Sequence, residues 1–139
     1  MIQLIVGNKG KGKTKHLLDK VNEEIKVVSG NVVYLDKSTK HMYELNNKVR
    51  LVDVTEYVIS NSDEFAGFVA GLLAADHDLQ QVYFDSFIKI ACLEDKDIMP
   101  TINKIEALSN KYDVKFILSI SKDESELDDS LKDKIIVSL

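Results

Sequence analysis

Short apolar runs alternate along this chain with longer segments whose apolar residues recur at helical spacing, so the pattern predicts alternating strands and helices. Ile2 to Val6 is a buried strand; Leu17, Leu18, Val21, Ile25 and Val28 give a helix over 13 to about 28 one apolar stripe, and Ser29-Gly30-Asn31 stops it. Asn31 to Leu35 is nearly continuous in apolar character, as suits a parallel strand covered on both faces. A polar, turn-like stretch from Lys37 to Lys48 leads to a briefer strand at 49 to 54.

Asn61 with Glu64 has capping-box spacing ahead of a helix whose inner face is Phe65, Phe68, Val69, Leu72 and Leu73. Gly67 and Gly71, one turn apart on it, suggest close packing against a sheet. Gln81 to Asp85 is a further strand, and Ser86 to Leu93 begins helically. Pro100 opens a helix with Ile102, Ile105 and Leu108 inward. Val114 to Ser121 is a strand, 123 to 131 a short helix with an acidic start, and Lys134 to Leu139 a last strand. This order predicts an α/β three-layer sandwich around a mostly parallel central sheet, formed by residues 1 to 139 as a single domain.

Between the first strand and the first helix stands Gly7-Asn8-Lys9-Gly10-Lys11-Gly12-Lys13-Thr14, a complete Gly-x4-Gly-Lys-Thr phosphate loop in the strand-loop-helix context it requires. Gly7 permits a sharp turn, and a loop without large side chains lets successive backbone N–H groups converge on a phosphate. Gly12 allows close approach where the helix begins, so unsatisfied N–H groups and the positive helix end face the anion. Lys13 is expected on the β- and γ-phosphates, and the Thr14 hydroxyl on Mg²⁺.

Composition narrows the remaining chemistry. The single cysteine, Cys92, cannot form an intrachain disulfide and reads as a small core residue, while His16, His41 and His77 are too scattered for zinc-ligand spacing. No run of about 18 apolar residues is present, and strand-like sequence starts at Ile2 without a leader pattern, which points to a cytoplasmic protein with no membrane segment. The net charge of −5 is unevenly spread: residues 1 to 50 hold ten Lys/Arg and five Asp/Glu, leaving eight and eighteen for the rest. That asymmetry places positive charge around the phosphates. With Arg50 as the sole arginine and no basic-aromatic stripe, nucleic acid is not indicated as a partner.

Two carboxylates end buried strands. Asp85, after Val82-Tyr83-Phe84, is the expected magnesium-side group; Asp36, after Val32 to Leu35, lies where open α/β sheets form their ligand crevice, and a likeness to phosphoryl-transfer kinases implies a substrate base or ribose contact there. Nearly all of the chain resembles the phosphate-loop NTPases in organisation, with Gly7 to Thr14 the part specific at residue level, and within them it resembles the additional-strand division that includes RecA-like and motor ATPases. The resemblance implies that Lys13 and Thr14 serve phosphate and magnesium, and that Asp85 supplies the second motif. It also implies that Ser119 or Ser121, ending a strand between the other two, senses the γ-phosphate or the attacking water.

One departure matters for activity. The division usually carries a glutamate beside the second-motif aspartate, whereas this chain has Asp85-Ser86, and serine has no appreciable basicity. A base must come from Asp36, Glu94, a protein partner or a second copy completing the site. No arginine finger is evident. The expectation is Mg²⁺-dependent ATP binding with slow or partner-stimulated hydrolysis. Alternatives are a small-molecule kinase using ATP, with Asp36 as base, and a non-catalytic nucleotide-binding regulator. GTP is disfavoured: Asn110-Lys111-Tyr112-Asp113 spells a guanine-selecting motif but precedes its strand instead of following it.

Overall fold

In a computed structural model describing all 139 residues, six strands form one sheet: β1 (Ile2–Val6), β2 (Asn31–Asp36), β3 (Arg50–Asp53), β4 (Leu79–Phe84), β5 (Lys115–Ile120) and β6 (Ile135–Ser138). Their spatial order is β3-β2-β4-β5-β1-β6, and every pairing is parallel. The helices are α1 (Lys13–Glu24), α2 (Ser62–Ala75), α3 (Phe87–Ile90) and α4 (Met99–Tyr112). The architecture is a three-layer α/β sandwich. No helix is long and apolar enough to cross a membrane.

Strand residues alternate between two cores, as the pleat requires. Leu4, Val6, Val33, Leu35, Val82, Phe84, Phe116 and Leu118 face α2 and α4; Ile5, Tyr34, Tyr83 and Ile117 face α1. The first core is organised by Phe65, Phe84, Phe87 and Phe116, packed edge to face at centroid separations of 5.1 to 6.2 Å. The smaller core stacks Tyr34 on Tyr83 beneath α1.

Three details differ from the sequence pattern. The first helix ends at Glu24 instead of about 28: Lys26 and Val27 N–H groups turn back to the carbonyls of Glu23 and Glu24, and the chain descends to Gly30, where a Cβ would collide with the Asp78 carbonyl. The segment 123 to 131 is two 3-10 turns, Glu124–Glu126 and Asp129–Lys134. Asp123 and Asp128 each accept from the N–H two residues ahead, which favours a tight turn over a continuous helix. Gly67 and Gly71 do not pack on the sheet; a Cβ at either would meet nothing within 4 Å.

Because all strands run the same way, their C-terminal ends share one edge. Gly7, Asp36, Asp85 and Ser121 emerge there together. Strand β5 lies between β1 and β4, with Val6 opposite Ile120 and Phe84 opposite Leu118. The chain leaves β1 through α1 on one face, while α2 and α4 cover the other; the resulting reversal of direction opens a crevice at this edge.

Candidate functional site

The glycine-rich loop leaves β1 at Gly7 with φ +152° and passes through Gly10 and Gly12 at +87° and +94°. A side chain is disfavoured at all three by backbone conformation alone. Gly7 has a second constraint, since its Cβ would stand 2.9 Å from that of Leu139, whose N–H donates to the Val6 carbonyl. Gly12 is the left-handed residue before α1, so the first N–H groups of that helix open toward the loop.

Lys13 lies along the loop, 7% exposed, and its Nζ donates to the Asn8 carbonyl at 3.2 Å. Burial lowers its pKa, opposed by the nearby negative charge of Asp85. Thr14 points toward β4: its Oγ1 donates to Asp85 Oδ1 at 3.1 Å. The other oxygen, Oδ2, accepts from the Tyr34 hydroxyl at 2.8 Å. Burial first, then Asp85, push the Tyr34 pKa far above its ordinary value, so this hydroxyl stays a donor. Asp85 is therefore held from both sides while only 2% exposed.

Immediately after it, Ser86 adopts φ 54°, ψ 53°, a left-handed conformation that costs a non-glycine residue roughly 1–2 kcal/mol. The sharp turn redirects the chain into α3 and puts Ser86 on the wall of a cavity of about 350 Å³. Four lysines line this cavity, Lys9, Lys13, Lys37 and Lys89, against two carboxylates, Asp85 and Glu94. Gly10, Gly12, Thr14, Ser119 and Ser121 complete its polar surface, with Ile88 as the one apolar contributor. A polar, cationic hollow at a helix N-terminus is suited to a polyphosphate.

The sequence-derived residues are thus partly gathered. Lys9, Gly10, Gly12, Lys13, Thr14, Asp85 and Ser119 share the cavity, as do Ser121 and Glu94. Gly7, Asn8 and Lys11 shape the loop without lining it. Asp36 lies behind Asp85: it is 2% exposed and forms no part of the cavity wall. Its Oδ1 accepts from the Lys37 N–H at 2.7 Å, and Oδ2 is buried without a partner. Burial, reinforced by Asp85, raises its pKa; the Lys37 N–H and the charges of His41 and Lys37 act the other way.

Lys37, Lys89 and His41 carry no sequence signal that marks them. The two lysines reach the cavity only because the segments after β2 and β4 lie side by side. His41 comes within 4.8 Å of both Asp36 and Asp85. Arg50 starts β3, and Asn110 to Asp113 precede β5, which puts both at the opposite edge of the sheet. The chain matches no protein-family model and no curated protein.

Proposed function

We propose that this protein binds ATP with Mg²⁺ and hydrolyses it slowly, with faster turnover requiring a partner or a second copy of the chain. The observation that carries this reading is the Thr14–Asp85 pair at the floor of the lysine-lined cavity, reached directly from the phosphate loop. Two oxygen donors 3.1 Å apart suit adjacent positions on an octahedral hard cation, whose ligand oxygens lie about 3 Å from one another. Bound there, Mg²⁺ would neutralise charge on the β- and γ-phosphates. The order β4-β5-β1 supports grouping the chain with the additional-strand phosphate-loop NTPases, and Ser119 on the intervening β5 is suited to contact a γ-phosphate.

Slow turnover follows from what faces the cavity. Ser86 replaces the usual carboxylate, and Asp36 is buried outside the cavity lining, so Glu94 is the one carboxylate besides Asp85 available to orient water. The same position of Asp36 weighs against the kinase reading, which needs it against an acceptor. Lys37 and Lys89 supply positive charge but lack the planar fork of an arginine finger. ATP is preferred to GTP because Asn110 to Asp113 lie at the far edge of the sheet.

Calorimetric titration with ATP in Mg²⁺, followed by single-turnover measurement of ADP, tests this directly. Lys13→Ala should weaken ATP binding roughly ten- to hundredfold, the equivalent of charge-assisted hydrogen bonds worth about 1.5–3 kcal/mol. Thr14→Ala should remove the dependence of affinity on Mg²⁺. Folded wild-type protein that binds no nucleoside triphosphate would end the proposal; binding without ADP formation would leave a nucleotide-binding regulator.

A further inference from the structure

At the Asp85 wall of the cavity three side chains converge, two from the segment around the end of β2 and one from the end of β4. Asp36 closes β2, Asp85 follows the neighbouring β4, and His41 returns over them at the start of the 3-10 turn Met42–Glu44. One ligating atom from each lies within 4.8 Å of the others. Both carboxylates are 2% exposed. Asp36 Oδ2 is the unusual atom. It is buried with no hydrogen-bond partner, beside a second carboxylate, and the only donor to Asp36 is the Lys37 N–H on Oδ1. An ionised oxygen in that setting needs a cation or a proton.

His41 is prepared for the first of these. Its Nδ1 lies 3.0 Å from Glu44 Oε1. With Nδ1–H donating to that carboxylate, Nε2 keeps its lone pair, the outer-shell arrangement that orients metal-binding histidines. The His41 side chain is 19% exposed and Asp85 lines the cavity, so an ion can reach the group from either side.

We propose that Asp36, His41 and Asp85 bind one first-row transition-metal dication, at a site additional to the Mg²⁺ position beside Thr14, with Glu44 orienting His41. A mixed imidazole and carboxylate set suits Mn²⁺, Fe²⁺, Co²⁺ or Zn²⁺, whereas Mg²⁺ prefers oxygen donors alone. The site shares Asp85 with the nucleotide reading but does not depend on it.

Co²⁺ titration of chelator-treated, nucleotide-free protein, followed by visible absorption and calorimetry, reads the site without any activity. One Co²⁺ per chain is expected, with ligand-field bands distinct from aqueous Co²⁺. His41→Ala should weaken binding at least tenfold and abolish those bands, Glu44→Gln should weaken it roughly tenfold, and His77→Ala should leave it unchanged. Absence of Co²⁺ uptake, or uptake indifferent to His41→Ala, would overturn the proposal and leave Asp36 holding a proton. Binding of a fluorescent ATP analogue in Mg²⁺, measured in parallel, should be the same in wild type and His41→Ala. Loss of nucleotide binding with Co²⁺ binding intact would count against the ATP reading alone. Because His41 is partly exposed, its variant keeps the test usable if Asp36→Asn fails to fold.

Discussion

Asp85 is the residue on which the site turns, and its surroundings dictate how Asp36 behaves. The Thr14 and Tyr34 hydroxyls each donate to one oxygen of Asp85, so both oxygens have a partner. Asp36 receives one backbone donor and lies within reach of the Asp85 charge, and burial with Asp85 raises its pKa above the ordinary 3.8. In chelator, the folded state therefore keeps a proton that the unfolded state has already released as pH rises past the usual aspartate value. The native state binds more protons across that window, so stability falls with rising pH until Asp36 has ionised in the folded protein as well. Asp36→Asn removes this penalty, and its new amide N–H₂ can donate toward Asp85. Urea midpoints in EDTA should match most closely below the ordinary aspartate pKa of 3.8, with the variant gaining on wild type toward neutrality. A wild type that instead gains on the variant as pH rises would show that the raised pKa is wrong.

At the scale of elements, α2 shows both what local sequence encodes and what it does not. Its start was legible: Asn61 accepts from the Glu64 N–H at 2.9 Å, and Glu64 Oε1 accepts from the Ser60 N–H and hydroxyl. Capping is a contact between near neighbours, so the sequence contains both partners. The glycines carry no such signal, because a one-turn spacing looks the same on either side of a helix, and Gly67 and Gly71 lie on the outer one with open space beyond. Each then contributes only its backbone entropy cost. Gly67→Ala and Gly71→Ala should each stabilise the protein by about 0.5–1 kcal/mol, seen as a raised urea midpoint at unchanged slope, with nucleotide affinity unaltered. A destabilised variant would mean that this face of α2 is packed after all. The glycine-rich turn between β1 and α1 was legible for the same reason as the cap, being continuous in sequence. Lys37, Lys89 and His41 were not, because only the pairing of β2 with β4 brings their loops together.

Across the whole molecule, the site is built from both halves of the chain. The loop and α1 come from the positively charged first fifty residues, whereas Asp85, Glu94 and Ser119 come from the acidic remainder. The strand order makes this unavoidable, since β5 is inserted between β1 and β4 and the chain must traverse the sheet before Asp85 can meet Thr14. A ligand that contacts all of these elements binds the folded sheet and not the unfolded chain. Saturation with Mg²⁺ and ATP should therefore stabilise against global unfolding by the full linkage term, about 2.7 kcal/mol at a free concentration one hundred times Kd. Urea unfolding with and without nucleotide would read this, as would slowed exchange of those sheet amides that open only by global unfolding. In EDTA the increment from ATP at the same concentration should shrink, because Thr14 and Asp85 would no longer share a cation with the phosphates. Equal stabilisation with and without Mg²⁺ would mean that the phosphates are held by the loop and its lysines alone, removing the Thr14–Asp85 pair from the functional account while leaving nucleotide binding in place.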